Sequence, residues 1–530
     1  MPFADGPATA HAWATERAVL LWVAFGGDLS AADLAALAAG WPAINADGGR
    51  LALVVPPGAQ ATPTERRLAD LVVEDTPPAP PSPFGVFAAM AAAGIEDVRR
   101  VGVLAASADG LRAGANAGCG AAVGIAPAGT EARWPLLLAQ PDHVVAAEAF
   151  AALDRQRFAA NRAHRQRVLL NPGPSVTSDR VHRAVGGPDL CHREPEYAEI
   201  LDGVRAKLLR IAGVGDDWAA ATLAGSGTAA LEAMVLSSVR PGRKLVVCRN
   251  GVYGDRAALI ARRAGIELAS VAADDLSPID PEAVADALDA HPDTDAVFVV
   301  HHETTTGLLN PVHAIAAEAN RRGVLVAVDA ISSFGAEDLP LAGTGIDFVA
   351  TTSNKCLHGL PGVAVVLVSP RGQARIAEVP PRSLYLDLGG YLKAQRSRSV
   401  PFTPAIPAVY GLDAALDELL DEGLDHRQEL YSSRMAVVDR DLAKLGLEAR
   451  VAPEHRSRCV RSVPLPPGLG YDELHDALKA EGYVVYAGLG DAAQSTFRVC
   501  ALGALTVEGM EDFTAALGRV LAGRAVGAAA

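Results

Sequence analysis

Residues 324–359 read VLVAVDAISSFGAEDLPLAGTGIDFVATTSNKCLHG, and this stretch decides the class of fold. Two apolar runs, Val324–Ala330 and Asp347–Thr352, each lead into polar chemistry. Asp329 closes the first, and Ser353-Asn354-Lys355-Cys356-Leu357-His358-Gly359 follows the second. Short continuous apolar runs predict strands covered on both faces, as in a parallel sheet. From Asp329 to Lys355 the spacing is 355 − 329 = 26 residues, enough for a loop, a short helix and the next strand. The carboxylate and the amine are therefore expected at one edge of the sheet, where α/β proteins bind ligands.

The same pattern extends outward. Lys244–Arg249, Ala296–His301 and Val363–Ser369 read as further Val-rich strands, with amphipathic segments such as Pro311–Arg322 between them. Strands spaced by helices mean βαβ units and a mainly parallel sheet. This large domain is expected over 161–435. From 436 to 530 a smaller α+β domain is expected, with strands at Cys459–Leu465 and Thr496–Cys500 around a helix at Tyr471–Glu481. Residues 1–160 carry a weaker α/β signal, broken by the Pro-rich PPAPPSP at 77–83. The polar, basic DRQRFAANRAHRQR at 154–167 reads as a linker or exposed helix.

At 530 residues, half of them hydrophobic, the chain can build two or three cores. A net charge of −15 argues against nucleic acid and against an anionic membrane surface as partners. The six cysteines form no C-x-x-C pair, so neither a metal site nor a disulfide framework is expected. The apolar stretch Ala18–Phe25 is too short to span a bilayer, and Asp5 and Glu16 precede it rather than a basic n-region. A cytoplasmic protein with small-molecule substrates is the expectation.

Four segments carry chemistry. Gly225-Ser226-Gly227-Thr228 precedes the helical run AALEAMVLSSV; glycines before a helix N-terminus leave amides free to cradle a phosphate. Asp329 sits where a carboxylate can keep a pyridine nitrogen protonated, which pyridoxal phosphate needs to act as an electron sink. Lys355 follows a strand among small and polar residues, placed to reach into a pocket, where a desolvated amine can form a Schiff base. His302-Glu303-Thr304-Thr305-Thr306-Gly307 follows the strand VFVV and brings hydroxyls that can meet a phenolic oxygen.

Taken together, these segments resemble the class V, fold-type I aminotransferases, closest to the 2-aminoethylphosphonate aminotransferases. The matching stretches include LLNPGPSVTSDRV (169–181), DLCHREPEY (189–197), GSGTAALEA (225–233), RNGVYGDR (249–256), HHETTTGLLNP (301–311), TSNKCLHGLPG (352–362), PFTPA (401–405) and FRVCALG (497–503). The resemblance implies pyridoxal 5′-phosphate held by Lys355 and paired through Asp329. It implies phosphate contacts from Ser226, Gly227 and Thr228, ring stacking by Tyr253, and a phenolic-side contact from Thr304. Asn354 would flank the lysine, and Thr403 would reach a neighbouring subunit's cofactor in a homodimer with shared sites. Arg498 would bind the acid end of the substrate, and Asn171, Pro172 and Gly173 would line the mouth.

Residues 70–153 resemble the C-terminal half of haloacid-dehalogenase-type hydrolases, closest to phosphonoacetaldehyde hydrolases, through PPSPFGVFAAMAAAGI (80–95), VRRVGVLAASADGLRAGANAGCGAAVGI (98–125) and DHVVAAEAFAAL (142–153). The departures matter. No D-x-[DA]-x-T nucleophile segment occurs in residues 1–60, Pro80 replaces a basic residue, and Ala106 replaces a magnesium-binding acid. Asp109 lies one residue out of register with the second acid. Metal-assisted transfer needs those carboxylates, so a degenerate, non-catalytic domain is expected.

The function these readings imply is transamination between 2-aminoethylphosphonate and pyruvate, giving phosphonoacetaldehyde and alanine, in either direction. The alternatives are another class V activity, such as alanine–glyoxylate or serine–pyruvate transamination, and a non-catalytic protein that only binds the cofactor.

Overall fold

A computed structural model describes residues 168–527 continuously. Of the first 167 residues it describes 21–25, 29–30, 32–33, 35–37, 39, 50–55, 60–74, 84–95, 101–117, 119, 121–125 and 143–145. The Pro-rich 77–83 with Pro80, and the basic 154–167, lie outside the described residues. The chain divides into two compact units, the boundary along the sequence falling between positions 166 and 167, six residues beyond the expected one.

In the first unit, β1 (Leu21–Phe25), β2 (Arg50–Val54), β3 (Leu71–Val73), β4 (Val101–Ala105), β5 (Ala121–Ile125) and β6 (His143–Val145) form one sheet. Its order is β3-β2-β1-β4-β5-β6 and every pairing is parallel. The sheet is covered on both faces, because alternate residues of β1 enter different cores: Trp22 and Ala24 on one side, Leu21, Val23 and Phe25 on the other. Gly102 faces Trp22, and a Cβ there would come within 2.5 Å of the indole. The helix Pro63–Leu68 opens with a capping box between Thr62 and Glu65.

The second unit is built on seven strands: β7 (Ala219–Gly225), β8 (Lys244–Arg249), β9 (Glu267–Ala272), β10 (Thr294–Val300), β11 (Leu325–Asp329), β12 (Phe348–Thr352) and β13 (Gly362–Val368). The order is β9-β8-β10-β11-β12-β13-β7. All pairings are parallel except those of β13, which runs against both neighbours. Each strand expected in this region from the sequence is present, with ends shifted by up to two residues.

Both faces of this sheet are buried. Val297, Val299, Val326 and Val328 pack into one core, and Ala296, Phe298, Leu325 and Ala327 into the other. This explains why the strands read as continuous apolar runs. Emptying a position such as Phe298 would cost about 3–5 kcal/mol.

The helix α3 (Leu424–Lys444) crosses residue 435, and its side chains from Tyr431 onward belong to a third core. The smaller domain therefore draws on a helix that begins in the larger one. Its sheet joins β14 (Val460–Pro464), β16 (Thr496–Cys500) and β15 (Tyr486–Ala487), antiparallel, with β16 central.

Candidate active site

The C-terminal ends of β7, β11 and β12 converge on one site. β11 and β12 pair with Asp329 opposite Ala350, so Lys355, five residues further on (355 − 350), leaves the sheet at the edge where Asp329 ends its strand. Asp329 is buried, and its Oδ1 accepts the Ile331 N–H at 3.0 Å. Burial raises its pKa to about 6, against the opposing pull of that amide and of the Lys355 and Arg256 charges. A buried carboxyl at this point is suited to a cationic ring partner.

Lys355 is half-buried. Its Nζ lies 5.8 Å from the centroid of the Tyr253 ring. Gly173 walls the aliphatic stem: a Cβ there would sit 3.1 Å from Lys355 Cγ, and its φ of +121° suits glycine. Beside the lysine, Asn354 Oδ1 accepts the Thr352 hydroxyl at 3.0 Å, and its carbonyl accepts Ser175 N–H at 3.0 Å. Asn171 is buried with its Oδ1 unpartnered.

The lysine loop is anchored by His358, buried at φ +60°. Its Nε2 accepts the Gly503 N–H at 3.1 Å and lies 2.6 Å from the Tyr431 hydroxyl. Burial, with Arg427 and Arg434 nearby, keeps the imidazole well below its ordinary pKa, so it stays neutral and can accept.

Ser226 is the N-cap of α1 (Gly227–Ser238), but its side chain makes no cap hydrogen bond. Ser178, Asp280, Ser369 and Asp387 do cap their own helices. The Ser226 hydroxyl and the first amides of α1 are thus left for a ligand, and the helix dipole favours an anion there. Gly227 permits the approach, since a Cβ would lie 2.8 Å from Ile331 Cδ1. Thr228 Oγ1 accepts Arg256 Nη1 at 3.3 Å.

Thr304 is fully buried with its hydroxyl unpartnered, as is that of Thr306. Arg498, on β16, is buried too. Its Nε donates to Ala487 O at 2.8 Å and its Nη1 to Thr304 O at 3.1 Å; no carboxylate pairs with it among the described residues. Thr403 stands apart from the Lys355 group. It is exposed, in a recess lined by Tyr385, Tyr391, Phe402 and Val363.

The sequence reading passed over Glu303 and Arg256. Glu303 is completely buried; Oε1 accepts Gly254 N–H at 3.1 Å and Oε2 the Thr305 hydroxyl at 3.2 Å. It caps from outside the helix α2 (Val252–Arg263), which carries Tyr253, and a Cβ on Gly251 would run into it. Burial and the nearby Asp329 raise its pKa to about 7. The signal was Gly251 in RNGVYGDR, a glycine that makes room for an acid from another segment.

A mainly parallel sheet with one reversed strand, a lysine and a buried carboxyl at its edge, and an uncapped helix N-terminus beside them fit pyridoxal phosphate. These features define a pyridoxal-phosphate-dependent aminotransferase of fold type I. Residues 180–504 match the class-V aminotransferase family, and the chain belongs to it.

The chain is 36% identical over 369 residues to a 2-aminoethylphosphonate–pyruvate transaminase of Burkholderia thailandensis, covering 69% of this chain and 99% of that one. It is 34% identical over 348 residues to the enzyme of that name from Syntrophobacter fumaroxidans, covering 65% and 93%. Among solved structures, pyridoxamine–pyruvate aminotransferase from Mesorhizobium loti aligns with a TM-score of 0.63 at 29% identity, covering 67% and 92%. Alanine–glyoxylate aminotransferase from Nostoc sp. aligns at 0.64 with 26% identity, covering 67% and 95%.

Proposed function

We propose that the second unit exchanges an amine between 2-aminoethylphosphonate and pyruvate, in either direction. The observation that carries this reading is Arg498: a buried guanidinium with no acid of its own, held against Thr304 in the lysine site. Such a fork accepts a planar carboxylate or a tetrahedral phosphonate, and one site must take both. The names of relatives matched over more than nine-tenths of their own length support the substrate pair.

The cofactor, when bound, supplies the electron sink. Lys355 would hold it covalently, and its amine would carry the proton between the amine-bearing carbon of the substrate and the cofactor. Asp329 keeps the ring nitrogen protonated. Ser226, Gly227 and Thr228 hold the phosphate, Tyr253 stacks on the ring, Thr304 and Asn354 flank it, and Asn171 and Gly173 line the mouth.

Thr403 serves a partner subunit's cofactor in a homodimer. The exposed Leu384 and the Tyr385, Tyr391 and Phe402 ring cluster beside it support that reading.

The first unit is a haloacid-dehalogenase-like domain that has lost its chemistry. Its parallel order with β1 central supports the likeness. Supporting the decay, Ala106 follows β4 where an acid is needed, and Asp109 is exposed and pairs with Arg112 at 3.1 Å. The protein acts in the cytoplasm.

Stopped-flow spectra with 2-aminoethylphosphonate, alanine and serine in turn test the substrate assignment. Rapid loss of the visible band with the first two is expected. A faster response to serine, with none to 2-aminoethylphosphonate, would move the assignment to another class V activity.

A further inference from the structure

Arg256 stands on α2, one turn beyond Tyr253. Its guanidinium carbon lies 4.8 Å from the Tyr253 ring centroid, and its Nη1 donates to Thr228 Oγ1 at 3.3 Å. The stacking holds the planar group against the ring, and the threonine fixes the direction of its edge. Several other arginines of this unit are spent. Arg240, Arg243 and Arg375 share Asp295; Arg371 pairs with Asp347 and Arg461 with Asp439. Arg382 is committed to the Leu236 and Val239 carbonyls, and Arg434 to those of Ala501 and Gly503. Arg249, close by in sequence, takes Asp255. Arg256 has no carboxylate partner among the described residues, and a guanidinium carries five N–H donors of which one hydroxyl takes one.

The charges of the site point the same way. A phosphate monoester near neutral pH carries close to two negative charges, and a helix N-terminus offers about half a positive one. Lys355 cannot make up the difference, since its nitrogen is committed to the carbonyl end of the cofactor. Arg498 is bound to Ala487 and Thr304 on the substrate side. Among the described residues, the cation hydrogen-bonded to the Ser226–Thr228 segment is Arg256, and its hydrogen bond ends on a hydroxyl of that segment.

We propose that Arg256 is a ligand of the cofactor's phosphate, the cationic wall of a cradle whose floor is Ser226, Gly227 and Thr228. This rests on the reading of that segment as the phosphate site. Thr228 aims the guanidinium and Tyr253 supports it, so one helix supplies both the ring contact and the phosphate charge.

The test is the ratio of the dissociation constants of pyridoxal and pyridoxal phosphate for the full-length apoprotein, measured by equilibrium dialysis. The ratio isolates the contribution of the phosphate. Arg256→Gln is expected to weaken pyridoxal phosphate by roughly tenfold or more, the scale of a lost charged hydrogen bond, and pyridoxal by less than about twofold. Arg256→Lys, which keeps the charge and most of the stem, is expected to lower the ratio less, and it remains testable if the Gln variant does not fold. Ser226→Ala and Thr228→Val lower the same ratio if the cradle is where we place it. A fall in those two with no change in Arg256→Gln overturns the role of the arginine alone; no change in any of them overturns the cradle. Equal weakening of both ligands in Arg256→Gln would reduce the residue to a support for Tyr253. An unchanged ratio with a raised KM for 2-aminoethylphosphonate would give the guanidinium to the substrate's phosphonate, and would equally overturn the proposal.

Discussion

Arg498 Nη1 donates to the backbone carbonyl of Thr304 at 3.1 Å, tying the central strand of the small domain to the loop after β10. The bond means that the residue proposed to receive the substrate's anion also fixes the loop bearing the unpartnered Thr304 hydroxyl. Arg498→Lys keeps the charge and loses the fork. It is expected to weaken both 2-aminoethylphosphonate and pyruvate, by about 2–3 kcal/mol in kcat/KM. Steady-state kinetics with each substrate check this; near-normal values for both would make Arg498 structural.

Lys355→Ala is expected to abolish the visible absorbance of the resting enzyme and all turnover, since covalent attachment and the proton carrier are lost together. Absorbance scans and alanine formation read the two effects separately. Full activity in this variant would refute the assignment.

Three buried carboxyls are raised by burial: Asp329 to about 6, Glu303 to about 7 and Glu337 to about 7. Their unfolded values lie lower, so over this range the folded apoprotein binds more protons than the unfolded chain. The contribution of these three carboxyls to apoprotein stability should therefore fall as pH rises from about 4 to about 7, by roughly 1.4 kcal/mol per pKa unit of each shift, while the buried His301, His302 and His358, held neutral in the fold, act in the opposite direction. Glu337, which accepts Arg458 N–H at 2.6 Å and lies near Arg461, is outside the proposed cofactor contacts. Glu337→Gln should remove its share, so that stability relative to the wild type improves as pH rises in thermal melts from pH 5 to 8. A profile equally steep without Glu337 would remove it as a contributor.

Leu384 is 85% exposed beside the Tyr385, Tyr391 and Phe402 cluster. Leu384→Asp is expected to convert a dimer to monomers and to loosen the cofactor, because Thr403 would lose its neighbour. Light scattering coupled to gel filtration, with absorbance of the eluted peak, reads both. A monomeric wild type that retains its cofactor would sink the shared-site reading.

The full-length protein is expected to release no inorganic phosphate from phosphonoacetaldehyde, with or without magnesium. Phosphate release that stops on chelation would restore catalysis to the first unit.

The fold was legible where one-dimensional pattern and chemistry coincide. The Val-rich strands are buried on both faces and announce themselves by composition, and Lys355 and Asp329 by their place after such strands. The reversal of β13 was not legible, because a strand's direction leaves no trace in its apolar run. Glu303 was hidden for a related reason. Its contacts lie 49 residues away in sequence, at Gly254, and the adjacent threonines drew the chemical reading to themselves. Arg256 was inside a quoted motif, but only the missing acid partner marks it, and that is visible only in three dimensions.

The segment from Val168 to Val176 precedes the large domain in sequence but packs with the core of the small one. Val168 and Leu170 bond to Gly482 and Val484, Leu170 O accepts Cys500 N–H, Ser175 bonds to Asn354 in the lysine loop, and Val176 O accepts Ala504 N–H. It is a seam stitched to the small domain along its length and to the lysine loop once. The family match begins only at residue 180. A polypeptide trimmed to that boundary would keep Lys355, Asp329 and Arg498 and still lose Asn171, Gly173 and the Ser175–Asn354 bond that holds this segment against the lysine loop. Where the catalytic region starts is therefore set by these nine residues (168–176), upstream of the residues that match the class-V family.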